Sequence, residues 1–433
     1  MTQKTIFGEH DENTLAQLDR CLAAGSAAAG VLCADGHLGY AHPIGGVVGY
    51  TDHISISGVG YDIACGNMAV RLDTPYASVK DRIGPILQDV AKAVSFGIGR
   101  RNSERVDHAL FESGLWEEAG VTHLKAMARE QLGTVGSGNH YVDLFEDEAG
   151  FVWIGVHFGS RGLGHKTTSK YLELAGAQNG MEVAPALIEA GSDFGRGYLA
   201  GVELGGLYAY AGREWVVEKV RGIIGGAVTF SVHNHHNFVW RESHGGIDMW
   251  VVRKGATPAF PGQYGFVGGS MGDDAVILRG VESEASAAAL YSTVHGAGRV
   301  MSRTDARGRI AVMAQCTVAG CASSASWPDY EAAVKAAGLK PGARFTLCAG
   351  HADQSMKKQK LRQPGRVRHD DWQAWLKDKA VTVIGGDLDE APQAYRRLPE
   401  VLSAHAGTIE IVHRLRPFGV IMAGAKEFDP YKD

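Results

Sequence analysis

Glycine is the feature of this sequence that most restricts what the chain can fold into. Fifty-eight of its 433 residues are glycine, about twice the usual share of roughly 7%. The glycines show no three-residue repeat, so a collagen triple helix is excluded. They gather in short blocks that also contain histidine, cysteine, aspartate or asparagine. Because glycine permits tight turns and close approach of the backbone to a ligand, these blocks predict a binding site built from several turns.

The overall composition is that of a folded protein without a strong charge field. Hydrophobic residues make up 45%, charged residues 21%, and the formal net charge is −5. Disorder of the whole chain is therefore excluded, and any site for a polyanion must be local. The six cysteines include no CxxC pair and do not make a disulfide framework. Since neither a signal peptide nor a long apolar run is present, we expect a cytoplasmic protein with reduced thiols and no membrane partner.

Hydrophobic periodicity predicts helices and short strands without regular alternation. The predicted helices span 11–30, 77–95 and 282–294, and a fourth begins at a Ser326 cap and reaches Ala337. The predicted strands are 152–157, 228–232 and 249–252. No Pro-rich or Ser-rich break divides the chain. We therefore predict an α/β protein that forms one large, complex α+β domain with mixed sheets over residues 1–433.

Several of the glycine-rich blocks contain side chains that bind divalent metals. The block 58–66 carries Asp62 and Cys65, and later blocks place His140, His157 and His236 beside predicted strands or glycine turns. Any one of these residues alone is more often structural. Together, a carboxylate, a thiolate and several imidazoles are typical ligands of Mn, Zn or Fe(II). The set therefore predicts a metal site.

Other blocks suit the binding of phosphate. Backbone N–H groups in the turn 268–272 can form an anion nest, to which the pair Arg253 and Lys254 would add positive charge. His295 is wrapped by glycines and followed by Arg299, which leaves room for a phosphate, and a neutral imidazole can attack phosphorus. The same pattern also fits the C-terminus of a helix that ends at a cationic residue. The P-loop motif is absent from the sequence.

A basic run near the C-terminal third of the chain is a local concentration of positive charge. It contains Lys357, Lys358, Lys360, Arg362, Arg366 and Arg368. Such a run is either a solvated loop face or a contact surface for a phosphate backbone, and both interpretations stay open.

Taken in order, the blocks resemble the RtcB family of RNA-splicing ligases. They read GVGYDIACG, GSGNH, VHFGSRGLGH, HHN, RKGA, GGSMG and HGAGR. Upstream, residues 35–46 are similar to the family's PDVHxGxGxPIGG element, and 390–395 and 415–417 match towards the C-terminus. The resemblance spans about residues 30–422. It implies an RtcB-like fold with the active site in a central metal-lined cleft.

The resemblance implies an enzyme that joins RNA ending in a 2′,3′-cyclic phosphate or 3′-phosphate to RNA with a 5′-hydroxyl. It would use GTP and two Mn²⁺ ions, act on tRNA halves or damaged RNA, and leave room for an activating protein partner. By the family pattern, one Mn²⁺ would be held by Asp62, Cys65 and His140. The second would be held by Cys65, His157 and His236, with the thiolate bridging.

The resemblance also implies a nucleophile and a nucleotide pocket. His295 matches the histidine that takes up GMP from GTP, releases pyrophosphate, and passes GMP to the RNA as an activated RNA-3′-pp-5′-G end. The positions that match nucleotide contacts are Asn139, Asp143, Asn237, Gly268, Gly269, Ser270, Met271, Gly296, Ala297, Gly298, Arg299, Tyr395 and Met422.

Three positions differ from the family pattern. Asp143 stands where glutamate is usual, Ala275 where serine is expected, and Met422 where the family has a lysine, while Lys426 follows four residues later. The differences motivate two alternatives, a metal-dependent phosphoesterase or cyclic phosphodiesterase that has lost standard GTP use, and a non-catalytic RNA-binding protein that acts through the basic run. The ligase prediction requires His295 to lie within about 10 Å of the cation pair.

Overall fold

The computed structural model describes residues 3–178, 180–340, 345–351, 356–425 and 427. Within these residues, no helix is both long and apolar enough to cross a membrane. The helices are α1 (Glu12–Leu22), α2 (Ile56–Val59), α3 (Ile83–Ala93), α4 (Leu115–Glu118), α5 (Lys125–Gln131), α6 (Arg161–Leu174), α7 (Asp193–Ile224), α8 (Glu284–Ala288), α9 (Arg303–Arg307), α10 (Trp327–Ala336), α11 (His369–Asp378) and α12 (Leu398–Ser403).

The strands are mostly short and outnumber the helices in the part of the chain that the structure describes. They are β1 (Gln3–Ile6), β2 (Ala27–His37), β3 (Ile44–Tyr50), β4 (His53–Ser55), β5 (Gly66–Pro75), β6 (Tyr141–Glu146), β7 (Phe151–Phe158), β8 (Leu187–Glu189), β9 (Val228–His235), β10 (Asn237–His244), β11 (Ile247–Lys254), β12 (Ala256–Pro258), β13 (Tyr264–Val267), β14 (Ala275–Gly280), β15 (Ser292–Val294), β16 (Gly308–Cys316), β17 (Ser324–Ser326), β18 (Met356–Pro364), β19 (Thr382–Gly386) and β20 (Ile409–Gly424).

Two large sheets organise the molecule. The larger has eight strands, in the order β13-β14-β20-β6-β7-β5-β9 with β19 also paired to β20, and the second has the order β1-β2-β3-β11-β10. Strand β9 ends at His235 and β10 begins at Asn237, so a single residue, His236, carries the chain from one sheet to the other. Smaller sheets are formed by β12 with β15, by β4 with β8, and by β17-β16-β18.

The long helix α7 covers one face of the eight-stranded sheet. Its Val216 and Val220 share a buried cluster with Val70 of β5 and Val156 of β7. Burial of such branched apolar side chains is the main favourable contribution to packing a helix on a sheet. The strands that carry the predicted metal ligands are therefore held against a rigid core.

Several predictions of secondary structure are confirmed. The predicted strands 152–157, 228–232 and 249–252 lie within β7, β9 and β11. Ser326 caps α10 by accepting a hydrogen bond from the Asp329 N–H at 3.2 Å, and that helix ends at Ala336. The mixed α/β class is also confirmed. The assignment of the whole chain 1–433 to one domain stays a prediction.

Other predicted helices are too long. The helix predicted over 11–30 ends at Leu22, and residues from 27 onward form β2 between β1 and β3, because the apolar run there is buried on both faces like a central strand. Two 3₁₀ turns occupy 76–78 and 80–82, so the helix predicted over 77–95 begins only at Ile83.

Two corrections bear on the predicted chemistry. The helix predicted over 282–294 ends at Ala288, and 292–294 form β15, which pairs with β12. His295 therefore follows a strand, and its interpretation as the end of a helix is wrong. One of the two interpretations of the basic run placed it in a loop, but 356–364 form β18, an edge strand of the three-stranded sheet.

Candidate active site

A cavity of about 300 Å³ lies where the two large sheets meet. Its walls include every residue that the sequence predicted as metal ligand, nucleophile or nucleotide contact. These are Asp62, Cys65, His140, His157, His236, His295, Asn139, Asp143, Asn237, Gly268, Gly269, Ser270, Met271, Gly296, Ala297, Gly298, Arg299, Tyr395 and Met422. Their proximity is a geometric finding, whereas their metal, nucleophile and nucleotide roles stay predictions.

Strand register explains how residues so distant in sequence meet. Asn67 of β5 pairs with His157 of β7, which in turn pairs with Tyr141 of β6. On the other side of β5, Gly66 pairs with His235 of β9. The four neighbouring strands β6, β7, β5 and β9 therefore bring Cys65, His140 and His236 to one level, each a single residue from a paired position.

Gly66 illustrates why glycine is needed at this crossing. A Cβ atom at this position would lie only 2.3 Å from the carbonyl oxygen of Asn234. Any side chain would push β5 away from β9, and the Cys65 backbone carbonyl would lose the hydrogen bond that it accepts from the His236 N–H at 2.8 Å.

The donor atoms form one contiguous set. The ligand atoms of Cys65, His140 and His157 all lie within 4.8 Å of one another, with Sγ of Cys65 3.4 Å from Nε2 of His157. Asp62 extends the set, since its Oδ2 lies 3.0 Å from Nε2 of His140. The His236 ring centroid is 5.0 Å from that of His157.

Two of the histidines are held by groups behind them. Nδ1 of His140 lies 2.9 Å from the Val135 carbonyl oxygen, and Nδ1 of His157 lies 2.7 Å from Oδ1 of Asn67. Asn67 is itself oriented, because its amide donates to the Phe266 carbonyl at 2.8 Å. At His157 the Asn67 oxygen favours a proton on Nδ1, which leaves the Nε2 lone pair directed at Cys65, the arrangement typical of metal-binding imidazoles. At His140, Nδ1 also lies 3.2 Å from the Arg161 guanidinium, which can only donate, so its partners do not select one tautomer.

The electrostatics of the site fit a divalent cation. Burial lowers the pKa of His157 and of His236, so both imidazoles are neutral and free to bind metal. Burial opposes the ionisation of Asp62, but the hydrogen bond and charge of His140 hold the pKa of that carboxyl below its ordinary value. Burial and the Asp62 charge raise the pKa of the Cys65 thiol; a bound cation would reverse this shift and bind the thiolate.

His295 adjoins this donor set. Its ring centroid lies 4.9 Å from that of His236, one of the predicted metal ligands. Nδ1 of His295 lies 2.6 Å from Oδ2 of Asp35, and the same oxygen accepts a hydrogen bond from the His295 backbone N–H at 3.0 Å. Although Asp35 is buried, its electrostatic interaction and hydrogen bonds with His295 hold the pKa of Asp35 below its ordinary value.

A sequence profile of the family described as tRNA-splicing ligase RtcB matches residues 20–319, more than half of the chain. The chain belongs to the RtcB family. Among its relatives, the RNA-splicing ligase RtcB of Escherichia coli is 32% identical over 311 residues, which cover 63% of this chain and 74% of that protein. The tRNA-splicing ligase RtcB of Archaeoglobus fulgidus is 32% identical over 65% of this chain and 75% of its own length.

A third RtcB relative matches along most of the chain. The tRNA-splicing ligase RtcB of Nanoarchaeum equitans is 27% identical over 90% of this chain and 87% of its own length. The family resemblance predicted from the glycine-rich blocks is therefore confirmed.

The far wall of the cavity contains the RtcB-like C-terminal motif. The Arg299 guanidinium lies 4.9 Å above the Tyr395 ring and donates to its hydroxyl at 2.8 Å. Glu390 pairs with Arg299 and Arg303, and Tyr395 also hydrogen bonds to Glu390. Asp389 holds Arg303 at 3.1 Å. This charged cluster fixes the aromatic ring at the edge of the cavity.

The departures from the RtcB pattern have different structural consequences. Asp143 is turned into the cavity, where its Oδ1 is buried without a hydrogen-bond partner in the described residues and burial raises the pKa of the carboxyl well above its ordinary value. Met422 lines the cavity within an apolar cluster that includes Met271 and Trp372. Ala275 packs in a separate cluster with Phe266 and does not line the cavity. Lys426 lies outside the described residues.

The two cations predicted beside the anion nest both have structural partners. Arg253 is fully buried and pairs with Glu242 at 2.6 Å. Lys254 donates to the carbonyl oxygens of Tyr40 and His42 at 2.9 and 3.2 Å. Glu242 neutralises Arg253, whereas the partners of Lys254 are neutral carbonyls and this residue lines a neighbouring cavity. A role in attracting phosphate therefore stays a prediction for Lys254 and is not supported for Arg253.

Sequence reasoning gave no individual role to three residues that shape the site. Asp35 contacts His295, Asn67 orients His157, and Arg303 anchors the far wall through Glu390. The signals were present, since Asp35 opens the motif 35–46 and Asn67 follows Gly66 directly. Their contacts depend on strand register, which the motifs alone do not specify.

Proposed function

We propose that this chain is an RNA ligase that joins 2′,3′-cyclic phosphate or 3′-phosphate RNA ends to 5′-hydroxyl ends, with GTP and two Mn²⁺ ions as cofactors. The observation that carries the proposal is the single cavity in which the Asp62, Cys65 and histidine donors adjoin His295, whose ring lies 4.9 Å from that of His236. Membership of the RtcB family supports the same reaction class. It favours ligation over the phosphoesterase alternative.

His295 is the proposed nucleophile. Asp35 at Nδ1 favours a proton on that nitrogen and leaves the Nε2 lone pair free, as an orienting carboxylate does for a catalytic imidazole. Nε2 attacks the α-phosphorus of GTP, a P–N bond forms, the bond to the β-phosphate oxygen breaks, and pyrophosphate leaves. The product is a phosphoramidate between His295 and GMP.

Two transfers then complete the reaction. An oxygen of the RNA 3′-phosphate attacks the GMP phosphorus, the P–N bond breaks, and His295 is regenerated as RNA-3′-pp-5′-G forms. The 5′-hydroxyl of the second RNA attacks the 3′-phosphorus, forms a phosphodiester and displaces GMP. An RNA that begins as a 2′,3′-cyclic phosphate is first opened by water to the 3′-phosphate.

The metal ligands are proposed by the family pattern and supported by the donor chemistry. Asp62, Cys65 and His140 would hold one ion, and Cys65, His157 and His236 the other, with the thiolate shared. When bound, the ions would neutralise charge on the phosphoryl oxygens. The protein supplies neutral imidazoles, an ionised carboxylate and the rigid strand ends that keep these donors together.

The nucleotide is proposed to lie between the turn 268–271 and the loop 296–299. Tyr395 would contact the guanine, while Asn139, Asp143 and Asn237 would contact the phosphates and sugar. Burial raises the pKa of Asp143 well above its ordinary value and so favours the protonated carboxyl, which can donate a hydrogen bond to an anionic ligand as well as accept one. Met422 offers the base an apolar surface where other family members have a lysine.

The decisive experiment is formation of the nucleotide adduct. Protein incubated with Mn²⁺ and each of the four nucleoside triphosphates is analysed by intact-protein mass spectrometry. We expect a mass increase of one GMP, largest with GTP, and its complete loss in His295→Ala. Unmodified protein with all four nucleotides at saturation would contradict the proposal.

A matched variant separates the positioning of His295 from its chemistry. Asp35→Asn keeps the shape of the side chain but removes the charge at Nδ1, so the adduct should still form, about 100-fold more slowly. Hydrolytic opening of the 2′,3′-cyclic phosphate without GTP, and without an adduct, would instead support the phosphoesterase alternative.

A further inference from the structure

A second cluster of metal-binding side chains lies in the small sheet formed by β16, β17 and β18. We call it the outer cluster, and it comprises Cys316, Cys321, Cys348 and His351. None of these residues lines the central cavity. Cys316 ends β16, Cys321 lies in the turn before β17, and the other two lie between α10 and β18. Three of the four lie beyond residue 319, where the match to the family profile ends.

The donor atoms are spaced like the ligands of a tetrahedrally coordinated metal ion. All four ligand atoms lie within 4.8 Å of one another. Sγ of Cys321 is 3.6 Å from Sγ of Cys348, and Nδ1 of His351 is 3.2 Å from Sγ of Cys348 and 3.6 Å from Sγ of Cys316. Zinc bonds of about 2.3 Å to sulfur and about 2.0 Å to nitrogen place tetrahedral ligands about 3.5–3.8 Å apart.

The same distances argue against a disulfide. The two sulfurs of Cys321 and Cys348 are 3.6 Å apart, whereas a disulfide bond is about 2.05 Å long. All the cysteines of the cluster are free thiols. Cys316 and Cys348 are each only 6% exposed. Without a bound ion, three thiols and one imidazole would be packed this closely with no ligand to stabilise them.

The backbone presents the ligands on short turns. The His351 N–H donates to the Cys348 carbonyl at 3.1 Å, the Cys321 N–H to the Val318 carbonyl at 3.1 Å, and the Cys316 N–H to the Ser323 carbonyl at 3.1 Å. The sequence spacing is C-x₄-C followed by C-x₂-H. Pairs of ligands two to four residues apart on turns are typical of structural zinc sites.

The surrounding sheet has little else to stabilise it. In the described part of this region, its own apolar cluster consists of the buried residues Ala314, Tyr330, Val334 and Met356, with Trp327 and Phe345 partly buried against them. The exposed face of β18 is rich in lysine. A core of this size supplies little folding free energy, and small units of this kind are commonly stabilised by a metal.

We propose that the outer cluster binds one structural Zn²⁺ ion, separate from the metals of the central cavity. Its four protein ligands complete a tetrahedron and leave no position for water or substrate, which distinguishes a structural from a catalytic site. The ion ties the turn that follows β16 to the segment that precedes β18. The proposal does not depend on ligase activity.

The test is metal content measured where the central thiolate has been removed. In a Cys65→Ala background, the central site retains no sulfur ligand. We expect zinc, measured by inductively coupled plasma mass spectrometry after removal of loosely bound metal, to fall by one equivalent per chain in Cys348→Ser. The matched control Cys21→Ala removes a buried thiol outside both clusters and should retain that equivalent.

Cobalt substitution provides a second measurement that does not require a destabilised variant. In the Cys65→Ala protein, Co²⁺ should give intense thiolate charge-transfer and tetrahedral d–d absorption. His351→Cys should keep the ion and strengthen the charge-transfer band. Equal zinc in Cys348→Ser and Cys21→Ala, a Cys321–Cys348 disulfide in the native protein, iron in place of zinc, or absence of the cobalt bands would each overturn the proposal.

Discussion

The central cavity and the outer cluster both gather cysteine and histidine, but the chain builds them in opposite ways. The central donors come from positions between 62 and 236 and meet at the ends of paired strands. The outer donors come from positions between 316 and 351 and lie on turns of one small sheet. Convergence through a large core suits a precise site beside an open cavity, whereas local turns suit a closed site that stabilises its surroundings.

The donor types follow the same division. A single thiol lies among histidines and a carboxylate in the centre, and a cavity of about 300 Å³ adjoins them. In the outer cluster, three thiols and one imidazole are sufficient to enclose an ion. Sites with fewer sulfur ligands and an accessible position perform chemistry, while sulfur-rich, saturated sites are structural.

The largest predicted effect is that a substitution at the central site abolishes activity, whereas one at the outer cluster lowers stability. Cys65→Ala should abolish adduct formation and RNA joining, by more than about 100-fold, because it removes the proposed shared ligand. Cys348→Ser should leave the adduct within a few-fold but lower the melting temperature and increase proteolysis within residues 308–364. The measurements are adduct yield, joining rate and the sites of limited proteolysis for both variants. If both variants lost activity and stability together, the two sites would not have separate roles.

A smaller effect is expected from a residue that orients a central ligand. Asn67→Ala removes the acceptor 2.7 Å from Nδ1 of His157, so the imidazole loses its fixed tautomer and orientation. Such partners are typically worth 10- to 100-fold in metal affinity or activity. We expect the Mn²⁺ concentration for half-maximal adduct formation to rise by about that factor.

The control for the Asn67 variant is the zinc content of the outer cluster. Because no residue of the outer cluster lines the central cavity, the zinc held by the outer cluster in Asn67→Ala should equal that of the unmodified protein. An unchanged Mn²⁺ dependence would mean that strand packing alone positions His157. Partial rescue by Asn67→Asp, which restores an acceptor, would identify the hydrogen bond as the cause.

The residues that meet at the central cavity could be picked out from the sequence because each proposed ligand belongs to a compact motif. Asp62, Cys65 and His157 stand in glycine-rich blocks whose order matches the family, and all line one cavity. Asp35 and Asn67 received no role because their function arises from pairing between distant strands. No single motif shows that Asn67 is paired with His157, or that Asp35 contacts His295.

The outer cluster was not predicted because its signal was dispersed. Its pairs are C-x₄-C and C-x₂-H, so a search for CxxC finds neither. The fold errors have a related origin, since periodicity does not show where a helix yields to a strand. Residues 27–32 and 292–294 lie next to helical segments but become strands because neighbouring strands offer hydrogen bonds and burial.

The smallest predicted effect concerns the basic strand. Lys357, Lys358 and Lys360 are exposed on β18, with the Lys358 ammonium 4.6 Å above the Trp327 ring. If these lysines contact the RNA backbone, replacing all three by glutamate should weaken RNA binding several-fold and reduce the salt dependence by about 0.7 to 0.9 per contacted phosphate. The adduct with GMP, which needs no RNA, should form at an unchanged rate.

Lys335→Glu is the matched control for the basic strand, since it alters charge on α10 of the same region at an exposed position. Binding of 3′-phosphate RNA, measured by fluorescence anisotropy at several salt concentrations, separates the two interpretations of the basic run. A salt slope that changes in the strand variant alone assigns RNA contact to β18. An equal salt slope in the unmodified protein and both variants would mean that the lysines are a solvated face. The central region would then perform the chemistry and the outer region would contribute stability only.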